Sequence, residues 1–395
     1  MSKRSLPLLA LLATAGVASA QVGTVSFIGS QTIATGSLTV GGTTVGGLSG
    51  IDYDAASGNY YLQSDARIAS DGAPFGRYYT ANITGLASGA FGAGAVNFTG
   101  VNSIQAPGGG AFPAAGIDPE SIRYRNGSLY VASEGEASTV ANQQNPFVRR
   151  YNAAGEQTQA FSVPARYNTD ASATSTTGIR NNLAFESLAF STDGLSLYTA
   201  TENALKQDGP AASLTNGSNS RILRFDAATG LPTGEYVYQN SAVVQAPNPA
   251  GQFVVNGLVE LLAVDSTRML ALERSFSVGA GNSVRLYEID LAGATDVSNV
   301  ASVADLTGIA PVSKRLVFDF NSIVPAAQLD NLEGITWGPN LPDGSRSLVV
   351  VSDDNFNSTV GTQFYALKVA AVPEPATFAA LGLGAAALLR RRSRR

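Results

Sequence analysis

The segment ESLAFSTDGLSLYTATE, residues 186–202, holds the pattern that decides the fold of this chain. Two apolar runs flank the turn Thr192-Asp193-Gly194, and a glutamate stands at each outer end. Short β-type runs around an Asp-Gly turn predict a β-hairpin. Because the start of the first strand and the end of the second lie at one edge of a hairpin, we expect Glu186 and Glu202 to lie close together.

The same hairpin pattern occurs five times along the chain. Its first positions are 49, 120, 186, 260 and 333, which gives intervals of 71, 66, 74 and 73 residues. Each interval holds two further candidate strands, such as 221–225 and 235–238 in the third. Self-similarity at a near-constant period of four strands predicts a repeat fold, and blade-like β units indicate a β-propeller.

We therefore predict an all-β fold, a β-propeller of five four-stranded blades. A six-bladed ring with one degenerate blade is the alternative. The last repeat has only three strands before the chain's tail, and residues 23–33 form a spare strand at the front. We expect this N-terminal strand to complete the last blade, which would remove an exposed sheet edge.

The composition excludes several kinds of active site. The chain has no cysteine and no histidine. Disulfides, catalytic thiols, Ser-His-Asp triads and His-ligated zinc are therefore excluded. Any catalysis must use carboxylates, Lys, Arg, Tyr, hydroxyls or a metal ion held by oxygen ligands.

Both ends of the chain look like targeting segments. Residues 1–20 carry Lys3 and Arg4, an apolar stretch and Ala18-Ser19-Ala20, which predicts a signal peptide removed by signal peptidase. A short N-terminal membrane anchor is the alternative. At the other end, residues 376–389 predict a short apolar transmembrane helix that runs into an arginine-rich tail.

The C-terminal segment 372–395 resembles the PEP-CTERM sorting signal of Gram-negative bacteria. The sequence Val372-Pro373-Glu374-Pro375 matches the hallmark of that signal. The resemblance implies processing by an exosortase, transient membrane anchoring and release to, or display on, the cell surface, often alongside exopolysaccharide. We expect residues 21–371 to form the propeller domain.

The charge of the body between these ends indicates which partners are excluded. Residues 21–372 hold 18 basic and 29 acidic residues. An acidic body argues against nucleic acid and anionic membrane surfaces as partners, and it is compatible with cations.

The acidic residues that bracket the five hairpins are candidates for one shared site. In a propeller, these hairpin ends meet on one face, so the following residues are expected to form a ring: Asp65, Glu120, Glu134, Glu186, Glu202, Glu260, Glu273, Glu333 and Asp353. The alignment of Glu260 is the weakest, because Glu260 lies within an apolar run where the alignment could slip by one residue. Crowded carboxylates raise their pKa values or recruit cations. Oxygen ligands without His or Cys favour Ca²⁺ or Mg²⁺, and flexible multi-carboxylate sites favour Ca²⁺.

Basic residues stand among these acids. Arg67, Lys206 and Arg274 follow Asp65, Glu202 and Glu273 closely in the sequence. They would either pair with the acids internally or bind a phosphate. The alternative for most of the acids is a structural role, in which they cap turns or join one blade to the next by salt bridges.

Motifs along the whole body resemble the phytase-like family, whose name denotes an esterase-like activity. The matching segments are 45–50, 118–122, 132–135, 185–190, 201–205, 272–274, 331–335 and 353–356. The resemblance implies a β-propeller and hydrolysis of an ester or phosphoester, and it transfers no catalytic residue.

These observations lead to one functional hypothesis and one rival. The hypothesis is a secreted hydrolase of a small ester or phosphoester. We expect the metal ligands to be Glu120, Glu134, Glu186, Glu273 and Glu333, and the ion to be Ca²⁺. Glu202 or Asp353 would act as general base, and Arg274 and Lys206 would stabilise the developing charge. The rival is a non-catalytic propeller with structural Ca²⁺ that binds exopolysaccharide or a surface protein.

Overall fold

The chain folds as a five-bladed β-propeller, which confirms the predicted fold class. The computed structural model describes residues 22–67, 75–357 and 359–371, and these contain five four-stranded antiparallel sheets. The predicted signal peptide at 1–20 and the sorting segment at 372–395, with its predicted helix at 376–389, lie outside the described residues. None of the helices in the described ranges is both long and apolar enough to cross a membrane.

The strands follow one another in chain order. The first segments are β1 (Val22–Ile33), β2 (Thr39–Val40) and β3 (Thr43–Thr44). Blade 1 contains β4 (Leu48–Asp54), β5 (Asn59–Ser64), β6 (Arg77–Ile83) and β7 (Val96–Ser103). Blade 2 contains β8 (Pro119–Arg125), β9 (Ser128–Ser133), β10 (Phe147–Tyr151) and β11 (Gln157–Ala160). Blade 3 contains β12 (Ala189–Phe190), β13 (Ser196–Ala200), β14 (Ser218–Asp226) and β15 (Pro232–Asn240).

The last two blades complete the ring. Blade 4 contains β16 (Val254–Ala263), β17 (Arg268–Ser277), β18 (Gly281–Asp290) and β19 (Ser313–Asp319). Blade 5 contains β20 (Asn331–Asn340), β21 (Arg346–Asp353) and β22 (Thr362–Ala371). Three single 3₁₀ turns in the described ranges lie at Ala165–Tyr167, Lys206–Asp208 and Phe320–Ser322.

The N-terminal strand closes the ring as predicted. Strand β1 pairs antiparallel with β22, from Val25 opposite Val369 to Ile33 opposite Thr362, and supplies the fourth strand of blade 5. The chain thus joins its first and last strands in one sheet, so that β22 is not an open edge.

The first strand of each blade lies nearest the centre. Strand β20 contacts β4, β4 contacts β8, and β16 contacts both β12 and β20. Apolar side chains fill the spaces between neighbouring blades. Leu272 of blade 4, for example, belongs to the same buried cluster as Leu332 and Val350 of blade 5. Burial of such residues is the main stabilising contribution in a fold without disulfides.

Candidate functional site

Each inner hairpin carries one extra residue at an equivalent place. The extra residue interrupts the pairing register at Ser49 in blade 1, Glu120 in blade 2, Val259 in blade 4 and Glu333 in blade 5. In blade 3, Phe185 pairs with Thr201 but Ala189 pairs with Tyr198, so the extra residue lies within residues 186–188, of which Glu186 is the first. A β-bulge bends the strand and redirects a side chain. Glu120, Glu186 and Glu333 therefore occupy equivalent positions, and the matching residue in blade 4 is Val259.

A second equivalent position lies on the second strand of each hairpin, directly after the residue that pairs just before the bulge. Ser64, Ser133, Thr201, Glu273 and Ser352 pair with the residue that precedes the bulge. The residues that follow them are Asp65, Glu134, Glu202, Arg274 and Asp353. Four blades thus place an acid here, and blade 4 places an arginine.

The structure does not bring Glu273 to the other acids. It stands one residue before Arg274, and side chains alternate between the two faces of a strand. Its carboxylate accepts a hydrogen bond of 2.7 Å from the Tyr238 hydroxyl and pairs with Lys314. On β17 the predicted position is one residue too early, and Glu273 packs against Tyr238 of blade 3.

Lys206 and Glu260 also lie apart from the predicted ring. The Lys206 ammonium donates a 2.5 Å hydrogen bond to the backbone carbonyl of Asp170. Glu260 is fully buried and forms a 2.9 Å salt bridge with Arg123. Its other oxygen accepts a 2.9 Å hydrogen bond from the amide of Leu188 in blade 3. Glu260 therefore links neighbouring blades. This is the structural role that the sequence analysis gave as the alternative to a place in the site.

Four of the predicted acids form one carboxylate cluster with a fifth acid, and we define this cluster as Asp118, Glu120, Glu134, Glu186 and Glu202. Oxygens of Asp118, Glu120 and Glu134 lie within 4.8 Å of one another, and so do oxygens of Glu134, Glu186 and Glu202. All five residues are buried. Glu134 belongs to both groups, and its Oε1 also accepts a 2.6 Å hydrogen bond from the amide of Ala184.

Sequence reasoning missed Asp118 as a site residue. It lies just before β8, two residues from Glu120, in the segment Asp118-Pro119-Glu120. The signal was present in this spacing, because residues two apart in an extended segment point to the same side. Arg67 holds Asp118 by a 3.0 Å salt bridge.

Arg274 and Asn331 connect the cluster to the acids of blade 5. The Arg274 guanidinium lies 3.6 Å from Glu202 and 3.1 Å from Glu333. Asn331 donates hydrogen bonds of 2.7 Å to Glu333 and 3.4 Å to Asp353. Two arginines, Arg67 and Arg274, thus form the ion pairs with this group of acids in the described part of the chain, and they are too few to neutralise it.

Burial and mutual repulsion both oppose ionisation of these carboxyl groups. Burial, followed by repulsion from neighbouring carboxylates, raises the pKa of Glu120, Glu134 and Glu186 well above the usual range. Burial raises the pKa of Asp118 to about 6, although Arg67 opposes the shift. It raises the pKa of Glu333 to about 7 against the effect of Arg274. Such a group must hold protons or bind a cation.

One oxygen of the cluster is fully buried and has no hydrogen-bond donor. Glu202 has a side chain only 1% exposed, and its Oε1 accepts no hydrogen bond. The Arg274 guanidinium lies 3.6 Å from this oxygen, beyond hydrogen-bond distance, so the oxygen is available to a cation or to water. A donor set made only of carboxylate oxygens fits a hard divalent cation such as Ca²⁺ or Mg²⁺.

Gly257 makes room for the side chain of Glu202. A Cβ at this position would lie 2.2 Å from Cγ and 2.4 Å from Oε1 of Glu202. We expect Gly257→Ala to displace Glu202 and weaken Ca²⁺ binding by roughly tenfold, the scale of a small misplacement in a binding site. Gly92→Ala is the control, because a Cβ there meets nothing within 4 Å. Isothermal titration would measure both, and equal affinities would show that the position of Glu202 does not affect the cation site.

Comparison with protein-family models identifies the domain. The model described as phytase-like, with esterase-like activity of phytase, matches residues 43–356. This chain belongs to the phytase-like family. The phytase-like domain is followed by a match to the PEP-CTERM protein-sorting motif at residues 371–395, which indicates export, surface sorting and processing by an exosortase. A search of curated protein sequences found no match to the phytase-like chain.

Solved structures that resemble the phytase-like chain share little sequence with it. An α-L-arabinofuranosidase from Lactobacillus brevis is 12% identical at a TM-score of 0.43, with 82% of this chain and 91% of that chain covered. A family 43 endo-arabinanase from Bacillus licheniformis is 13% identical at 0.39, with 82% and 95% covered. A periplasmic gluconolactonase from Pseudomonas aeruginosa is 13% identical at 0.35, with 84% and 90% covered.

Proposed function

We propose that this protein is a secreted, surface-sorted hydrolase that cleaves an ester or phosphoester with the help of a divalent cation. The observation that carries the proposal is the carboxylate cluster, in which Glu134 belongs to two groups of oxygens and Glu202 keeps a buried oxygen without a donor. In the proposed domain division, residues 1–20 are a signal peptide, 21–371 the propeller and 372–395 the sorting segment.

The residues of the cluster are suited to hold the cation. Asp118, Glu120, Glu134 and Glu186 would bind it, and Ca²⁺ is the ion favoured by several flexible carboxylates. A bound divalent cation would supply Lewis-acid polarisation of the ester oxygen and lower the pKa of water. Glu273, held by Tyr238 and Lys314, has no part in this set.

Glu202 and Arg274 carry the proposed acid–base and electrostatic roles. The Oε1 of Glu202 accepts no hydrogen bond and can take the proton of an attacking water, and burial raises the pKa of this carboxyl group, which favours proton uptake. Arg274, beside Glu202, would stabilise the negative charge that develops on the substrate. Asp353 is the alternative base, although Asn331 and the amide of Asn355 already donate to it.

Turnover of the Glu202→Gln variant tests this assignment. Glutamine keeps the size of the side chain but cannot accept the proton, so we expect ester hydrolysis with Ca²⁺ to fall by about 10²-fold or more. Glu156→Gln is the matched control, because Glu156 is exposed. Equal turnover by wild type and Glu202→Gln would show that another group is the base.

The sorting motif favours one second candidate, a non-catalytic surface propeller that binds exopolysaccharide with a structural cation. Ca²⁺ binding by the wild type, together with retention on an exopolysaccharide column and no turnover of carboxylic or phosphate esters, would support this candidate.

A further inference from the structure

The inner hairpin of blade 4 continues beyond the level of the carboxylate cluster. Gly257 pairs with Arg274 at that level. Two residues further along the two strands, Val255 pairs with Phe276. The amide of Val278 then donates to the carbonyl of Phe253, which extends the ladder by one more step. Side chains two residues apart leave the same face of a strand, so Phe253, Val255 and Phe276 stand on the face of Arg274.

The two faces of this extension have opposite and unusual polarity. On one face, the polar residues Asn256, Ser275 and Ser277 are at least 98% buried. Asn256, Ser275 and Ser277 form hydrogen bonds with the covering segment 241–245. On the other face, the apolar ring of Phe253 is 63% exposed. Its centroid lies 6.4 Å from that of the half-buried Phe276.

The apolar face is partly open to solvent, because Phe253 is exposed and Phe276 is half-buried, while Val255 between them is buried. Exposed apolar rings that touch one another next to a polar site are typical of ligand-binding surfaces. Arg274, on the same face, reaches Glu202 and Glu333. The wall formed by Phe253, Val255 and Phe276 therefore begins within two residues of the proposed catalytic groups.

We propose that this apolar wall binds the acyl or aryl group of the substrate, so that the enzyme prefers esters with an apolar group beside the scissile bond. The inference rests on the proposed hydrolytic function and narrows its substrate class.

Chain-length preference tests the proposal. With p-nitrophenyl octanoate and p-nitrophenyl acetate, we expect the wild type to show a kcat/KM ratio of at least about tenfold in favour of octanoate. The double variant Phe253→Ser/Phe276→Ala should lower this ratio to about one. Leu195→Ser is the control, because Leu195 is 70% exposed in the turn at the opposite end of its hairpin. A wild type without chain-length preference, a double variant that keeps it, or faster hydrolysis of phytate than of either ester would overturn the proposal.

A binding measurement separates this proposal from the hydrolytic function. The neutral ketones 2-octanone and 2-butanone cannot be hydrolysed, and we expect the wild type to bind 2-octanone at least about tenfold more tightly by titration calorimetry. Loss of this difference in Phe253→Ser/Phe276→Ala would support the wall even if no ester were turned over, in which case the hydrolytic function alone would fail. Equal binding of the two ketones by the wild type would overturn the proposal that the apolar wall binds the substrate.

Discussion

Replacing Glu134 by glutamine is expected to abolish the stabilisation that Ca²⁺ gives to the folded protein. Glu134 is the residue shared by both groups of carboxylate oxygens, so its loss removes a ligand from each. The amide oxygen of glutamine can still accept the hydrogen bond from the Ala184 amide, which preserves the local backbone contact. At a Ca²⁺ concentration one hundred times the dissociation constant, the wild type should gain about 3 kcal/mol in the free energy of unfolding.

Without Ca²⁺, the same substitution should act in the opposite direction. Burial, and then repulsion from Asp118 and Glu202, raises the pKa of Glu134, which means that its ionised form opposes folding. A neutral glutamine removes this repulsion, and we expect the metal-free variant to be more stable than the metal-free wild type by on the order of 1 kcal/mol.

Urea unfolding of both proteins, with Ca²⁺ and with a chelator, would measure the two effects. Glu156→Gln serves as the control, since it also neutralises a glutamate but at an exposed position. The decisive result is that Glu134→Gln lowers stability with Ca²⁺ and raises it with the chelator, because general damage to the fold would lower stability under both conditions. An unchanged Ca²⁺ response in Glu134→Gln would place the cation elsewhere or exclude it.

The blade count and the closing strand could be predicted because they depend on local patterns. Alternating apolar runs and turn residues mark each hairpin, and the period of the repeats fixes their number. The last repeat lacks a fourth strand, and the segment before the first repeat is the strand that is left to supply it. Its pairing with β22 follows from counting strands, without any knowledge of side-chain contacts.

The site could be predicted only in part, because a single extra residue per hairpin decides which side chains meet. In blades 2 and 5, the bulge lies at a glutamate that is also the first residue of the motif, and in blade 3 it lies within residues 186–188, which begin with such a glutamate, so the pattern and the structure agree. In blade 4 the bulge lies at Val259, one residue before the predicted Glu260. Because of that shift, Arg274 and not Glu273 lies at the site. The register depends on how the two strands pair, so neither strand's sequence alone could show the shift.

Replacing Glu260 by alanine is expected to destabilise the protein by about 3–5 kcal/mol, the usual effect of removing one partner of a buried ion pair. Glu260 joins three blades. Its carboxylate accepts a 2.7 Å hydrogen bond from Ser121 of blade 2, another of 2.9 Å from the Leu188 amide of blade 3, and a third of 2.9 Å from its own neighbour Leu261. Alanine would leave the buried guanidinium of Arg123 without its counter-charge.

A double-mutant cycle with Arg123→Met distinguishes the ion pair from a simple loss of packing. Arg123 also donates to the carbonyls of Ile51 and Leu261, so its own replacement should be destabilising. If the charge left unpaired causes most of the effect, the double variant should lose at least about 1.5 kcal/mol less than the sum of the two single variants. Strict additivity would show that cavity formation dominates. Lys368→Ala, which breaks an exposed ion pair with Asp343, should leave the free energy of unfolding almost unchanged, because water screens that pair.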